Sequence, residues 1–118
     1  MKLPKDMVQG IERFLEESPP GAIQRGRSYF ASGNVLELEC VRENHLYAAV
    51  VRGGEDYNVG LEFAEGEWAS ECSCPVALDC KHIVAAMLEL QKRAAANGNP
   101  TPSYRQRIAQ AARSAGRD

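Results

Sequence analysis

With 118 residues, 44% of them apolar and 25% charged, the chain has the length and composition of one soluble domain. No apolar run approaches the ~20 residues of a membrane span. The N-terminal MKLPKDMVQG also lacks the apolar stretch of a secretory signal, so a cytoplasmic protein with reduced thiols is expected. The net charge of −2 hides an asymmetry: residues 1–90 carry 8 Lys and Arg against 15 Asp and Glu, residues 91–118 carry 6 against 1. An acidic body excludes a general DNA-coating surface, so any pull on phosphate must come from the tail or from a local cluster.

Residues 5–17 place Met7, Val8, Ile11, Phe14 and Leu15 at helical spacing. Ser18-Pro19-Pro20-Gly21 ends that helix. A second helix is expected within residues 22–33, with Ile23, Arg27 and Phe30 on one face and Gly33 as a left-handed cap. From Val35 the period changes to two. Leu36, Leu38 and Cys40 share a face that predicts a core position for Cys40, and Glu37 and Glu39 share the other. ENHL is a turn, which leaves His45 in solvent. LYAAVV reads as a central strand, Gly53-Gly54 as a hairpin, and DYNVGLEF as a strand with Tyr57, Val59, Leu61 and Phe63 on one side. AEGE is a further turn and WASEC a short fourth strand. Short connections make three or four antiparallel strands in a meander. A last helix is expected over HIVAAMLELQKRAAA, with Asp79 as its cap, Lys92 and Arg93 at its C-terminal dipole and Gly98 as its stop. NGNPTPS reads as a linker, and YRQRIAQAARSAGRD as a weak basic helix or disorder.

Three cysteines and a histidine fall in the segment 72–82: Cys72-x-Cys74, five residues, Cys80-x-His82. Three thiolates and an imidazole are a common tetrahedral zinc set, and soft donors suit zinc better than calcium or magnesium. On a strand, residues i and i+2 point to one side, so Cys72 and Cys74 can ligate together. On a regular helix they diverge, so Cys80 must lie at or before the first helical turn. Alternatives stay open: a Cys72–Cys74 disulfide or redox pair, or sulfur that simply fills space. Iron–sulfur is disfavoured without a fourth nearby cysteine. Four donors would close the shell around one structural Zn2+, which argues against catalysis; Glu71 and Asp79 read as a strand-edge charge and a cap rather than as bases.

The segment CSCPVALDCKHIVAAML resembles the SWIM zinc finger, whose pattern is C-x-C, a variable gap and C-x-H followed by a helix. GRSYFASGNV, residues 26–35, looks like the Gly-x-x-Tyr-x-x-x-Gly-x-Val lead-in of prokaryotic SWIM proteins, so the resemblance covers about residues 21–92. It implies a small ββα-type zinc module; with the helices and meander read from the periodicity, the expected fold is α+β, N-terminal helices and a three- to four-stranded antiparallel meander preceding a zinc-pinned C-terminal helix. The expected organisation is an N-terminal helix over 1–20, a SWIM-type zinc domain with its preceding sheet over 21–96, and a linker and basic tail over 97–118. The resemblance further implies a binding module, not an enzyme, with Cys72, Cys74, Cys80 and His82 as ligands. Its expected partner is DNA or a DNA-processing protein such as a Swi2/Snf2 helicase-like ATPase. No Walker-A motif is present, so such a motor would lie on another chain or beyond this segment. Lys81, Arg25, Arg27, Arg105 and Arg107 are the candidate phosphate contacts, with Arg113 and Arg117 further along the tail; a protein adaptor and a thiol redox protein are the competing readings.

Overall fold

The apolar stripe of residues 5–17 forms helix α1, Lys5–Glu17, in the computed structural model, which describes residues 2–75 and 80–96. Met7 and Ile11 are fully buried, and Val8, Phe14 and Leu15 lie against the same core. Ser18 is extended, as the residue before a proline must be, and its Oγ donates to Phe14 O at 2.8 Å. Helix α2, Pro20–Ala31, begins two residues earlier than expected, because Pro20 occupies its first turn, where a missing N–H costs nothing. Its buried face is also different. Ala22 and Gly26 are inside, while Arg27 is exposed and Ile23 and Phe30 are half-buried. Gly33 takes φ +78 at the end of α2, the left-handed cap that its position suggested.

Four strands follow in a meander: β1 Val35–Arg42, β2 Leu46–Arg52, β3 Asp56–Ala64 and β4 Glu67–Cys72. All pairs are antiparallel, in the order β1-β2-β3-β4. The β3–β4 turn is a two-residue hairpin with Glu65 at φ +53 and Gly66 at φ +82, the twist that matches right-handed strands. The β2–β3 hairpin at Gly53-Gly54 uses no positive φ at either glycine, so backbone freedom does not explain that pair.

Helix α3, Lys81–Ala96, crosses one face of the sheet. Ile83, Val84, Ala85, Ala86, Met87, Leu90 and Ala94 are all buried, because α3 is covered by the sheet on one side and by α2 on another. Tyr47, Ala49, Val51, Val59, Leu61 and Trp68 complete the core from the sheet. Trp68 anchors α1 as well: its indole N–H donates to Met7 O at 3.0 Å. Near the end of α3, Arg93 pairs with Glu89 at 2.8 Å and donates to Leu38 O at 3.0 Å, which ties the helix to β1. Among the described residues, no helix is long and apolar enough to cross a membrane.

Two further expectations need correction. Cys40 is exposed and Leu36 is 43% exposed; only Leu38 of that face is buried. β1 is an edge strand whose pairing slips between Val35 and Glu37 and again between Cys40 and Arg42, and Leu38 is its one buried residue. Such irregularities blunt an edge against further pairing. His45 is half-buried rather than free in solvent. Its Nε2 lies 2.9 Å from Glu62 and its Nδ1 3.0 Å from Phe63 O, which pins the β1–β2 turn to β3. Asp79, Gly98, the linker and the basic tail lie outside the described residues.

Candidate metal centre

Cys72 is the last residue of β4, and Ser73 continues the pairing beyond it. The Ser73 N–H donates to Asn58 O at 3.0 Å, and the Asn58 N–H donates to Ser73 Oγ at 2.9 Å. The chain bends from Ser73 through Pro75, directly after β4, and the Cys72 and Cys74 thiols come together in the cluster. Cys80 stands immediately before α3, and its carbonyl accepts the Val84 N–H at 3.3 Å. His82 is the second residue of the helix. Placing Cys80 outside helical geometry and His82 inside it lets a one-residue spacing converge, as the sequence required.

The four donor atoms all lie within 4.8 Å of one another, and all four residues are buried. His82 Nδ1 is 3.8 Å from Cys72 Sγ and 3.7 Å from Cys80 Sγ. In a tetrahedral shell with Zn–S near 2.3 Å, neighbouring donors stand roughly 3.5–3.8 Å apart. Donor set and spacing both fit one zinc ion. Cys72, Cys74 and Cys80 would supply thiolates and His82 a neutral imidazole, and the ion would cross-link the end of β4 to the start of α3. Three thiolates spread negative charge onto the ion and four donors fill its shell, so the centre is structural rather than catalytic.

Burial sets the protonation of the site. It pushes the Cys72 thiol up to about 12 and raises Cys80, with neighbouring thiols contributing, while burial and then the charge of Lys81 lower His82. The metal-free Cys72 and Cys80 thiols therefore hold their protons through neutral pH, and burial favours the neutral imidazole of His82. Zinc must displace at least the Cys72 and Cys80 protons, so its apparent affinity falls as pH falls. Each pH unit below neutrality is expected to cost roughly 100-fold or more. Chelator competition at about pH 6 and about pH 7 measures this; a flat profile would exclude thiols as the displaced groups.

His82 packs between two aromatic rings: Tyr57 at 4.5 Å between centroids, and Tyr29 edge-on at 5.6 Å. Its Nε2 is buried and, among the described residues, has no hydrogen-bond partner. Sequence reasoning overlooked Tyr29, Tyr57 and Gly53 as neighbours of the imidazole, since each was accounted for by strand alternation, turn formation or a helix.

The candidate phosphate contacts divide. Arg25 and Lys81 line one cavity of about 260 Å³ beside the cluster, together with Tyr57, Cys74, Pro75, Cys80 and His82. The Lys81 ammonium lies over the Tyr29 ring at 5.2 Å. Arg27 faces away, into a depression of about 140 Å³ with Leu15, Glu16, Ile23, Val84 and Leu88. Arg105 and Arg107 fall outside the described residues.

Comparison with known families agrees with the geometry. The family model of the SWIM zinc finger matches residues 57–91, from Tyr57 on β3 through β4 and the cluster to Gln91 in α3. The lead-in at residues 26–35 lies outside that match. Neither a curated protein nor a solved structure matches the chain. A SWIM-type zinc-finger domain, carrying a structural Cys3His centre, is thus present over residues 57–91.

Proposed function

We propose that the protein is a nucleic-acid-associated binding module in which zinc holds the shape of a phosphate-contacting surface. The observation that carries this reading is the convergence of Arg25 and Lys81 on one cavity beside the cluster. A guanidinium and an ammonium on elements that the metal and the helix packing hold together form a local cationic spot on an otherwise acidic body, and the basic residues after position 96 would add phosphate contacts. The setting the resemblance suggests is beside a DNA-processing protein such as a helicase-like ATPase, and the N-terminal sequence suggests the cytoplasm.

Binding to a short DNA duplex, titrated with salt, tests the reading. Affinity should fall steeply as salt rises. The double substitution Arg25→Ala/Lys81→Ala should weaken binding and reduce the salt slope by about 2, with zinc content unchanged. A slope that the double substitution leaves unaltered would reject this surface.

A second reading, a protein adaptor, is favoured by the outer face of the sheet. The helices lie on the other face, and here Glu39, Ala48, Gly60 and Glu71 pair across the four strands, with Glu37 and Glu62 beside them. An open, small-residue face rimmed by carboxylates suits a basic protein segment. Absence of DNA binding even at low salt would favour it.

A further inference from the structure

We propose that the zinc is held through His82 Nδ1, and that Gly53 in the β2–β3 hairpin is the positioning residue that sets this donor atom. The inference rests on the zinc reading of the cluster and concerns what this chain does to the imidazole. Nδ1 is the ring nitrogen that faces the sulfurs, at 3.7 and 3.8 Å from Cys80 and Cys72. Nε2 points elsewhere: it is buried, has no hydrogen-bond partner among the described residues, and is set against Gly53. A Cβ on Gly53 would stand 2.8 Å from Nε2 and 2.9 Å from Tyr57 Cε2, closer than real Cβ contacts allow. Gly54, the next residue, has only Tyr57 Oη near its Cβ position, at 3.9 Å.

These distances give the hairpin glycine a reason that its φ does not. Gly53 leaves a slot into which the Nε2 edge of the ring fits, and Tyr57 and Tyr29 hold the ring from its sides. The ring nitrogen turned away from a metal ordinarily donates to a carboxylate, a carbonyl or water, and that bond fixes tautomer and orientation. Among the described residues no side chain or carbonyl accepts from His82 Nε2. Here shape orients the ring instead. The hairpin backbone and two aromatic side chains clamp the imidazole, and Nδ1 is left facing the thiolates. A side chain at position 53 would fill the slot and displace the ring.

Two measurements on the full chain test this. In zinc-loaded protein with 15N-labelled histidine, long-range 1H–15N NMR should show His82 with its proton on Nε2 and no proton on Nδ1. The reverse pattern in a zinc-bound protein would overturn the donor assignment while leaving the metal site standing. Wild-type protein that takes up no zinc would overturn both. In chelator competition, Gly53→Ala should lower zinc affinity about 10–100-fold, the range seen when support of a ligating histidine is lost, and Gly54→Ala should stay within about two-fold. Gly53→Ala with wild-type affinity would overturn the role of Gly53. The NMR measurement needs no variant, so a Gly53→Ala protein that failed to fold would leave the donor assignment decided by experiment.

Discussion

Replacing Cys80 by Ser, or His82 by Ala, is expected to abolish zinc binding and unfold the segment from the end of β4 through α3. Elemental analysis should read one zinc per chain in the wild type and none in either variant. The effect is large because a structural zinc contributes on the order of 10 kcal/mol of apparent binding free energy, and that energy stabilises the fold that creates the site. The location magnifies it. The ion would pin the first turn of α3, and α3 supplies Ile83, Val84, Met87 and Leu90 to the core. Freeing its start therefore loosens the sheet as well. Hydrogen exchange should show protection lost over residues 70–92 first. Cys40→Ser is the internal control: Cys40 is exposed on β1, apart from the cluster of Cys72, Cys74, Cys80 and His82, so its zinc content should equal the wild type. Loss of metal in Cys40→Ser would refute the ligand set.

Gly26→Ala should also destabilise the protein, by about 1–3 kcal/mol, although alanine is by itself the better helix former by up to ~1 kcal/mol. A Cβ at this position would stand 2.4 Å from Val84 Cγ1, 2.5 Å from Val84 Cβ and 3.1 Å from the Lys81 carbonyl oxygen. The carbonyl belongs to the first turn of α3 and cannot rotate away, so α2 must withdraw as a body. Thermal unfolding should register the loss as a fall of about 4–8 °C per kcal/mol. Pairing Gly26→Ala with Val84→Ala should recover part of it as a positive coupling in a double-mutant cycle. Unfolding of Gly26→Ala at the wild-type temperature would show that the helices can part at no cost. The same movement would disturb the contact of Tyr29 with His82, so zinc affinity should fall alongside stability.

That coupling gives physical content to the lead-in GRSYFASGNV. Gly26 permits the close approach of α2 to α3, Tyr29 packs edge-on against the ligand histidine, and Gly33 makes the left-handed turn from α2 into β1. The spacing of these residues is visible in the sequence. Their purpose is not, because Val84 and His82 lie more than fifty positions away.

Features governed by short range were legible in the residues alone. The apolar stripe and the Ser-Pro-Pro break delimit α1; the two-residue period marks the strands; short turns leave a meander as the natural order. The chemistry of four soft donors was legible as well, since residue type and spacing suffice to propose a ligand set. What depends on elements crossing at a distance emerged only in three dimensions. Alternation could say that Leu36, Leu38 and Cys40 share a face, but not that β1 is an edge on which only Leu38 of the three is buried. Arg25 and Arg27 stood together as candidate phosphate contacts, and only the packing of α2 on α3 shows Arg25 beside the cluster and Arg27 away from it. Gly53 read as a turn residue, whereas the fold uses its missing side chain to seat an imidazole. Periodicity and donor type are properties of a local stretch of chain; burial at an edge, and the atom a glycine makes room for, are properties of the surfaces that meet there.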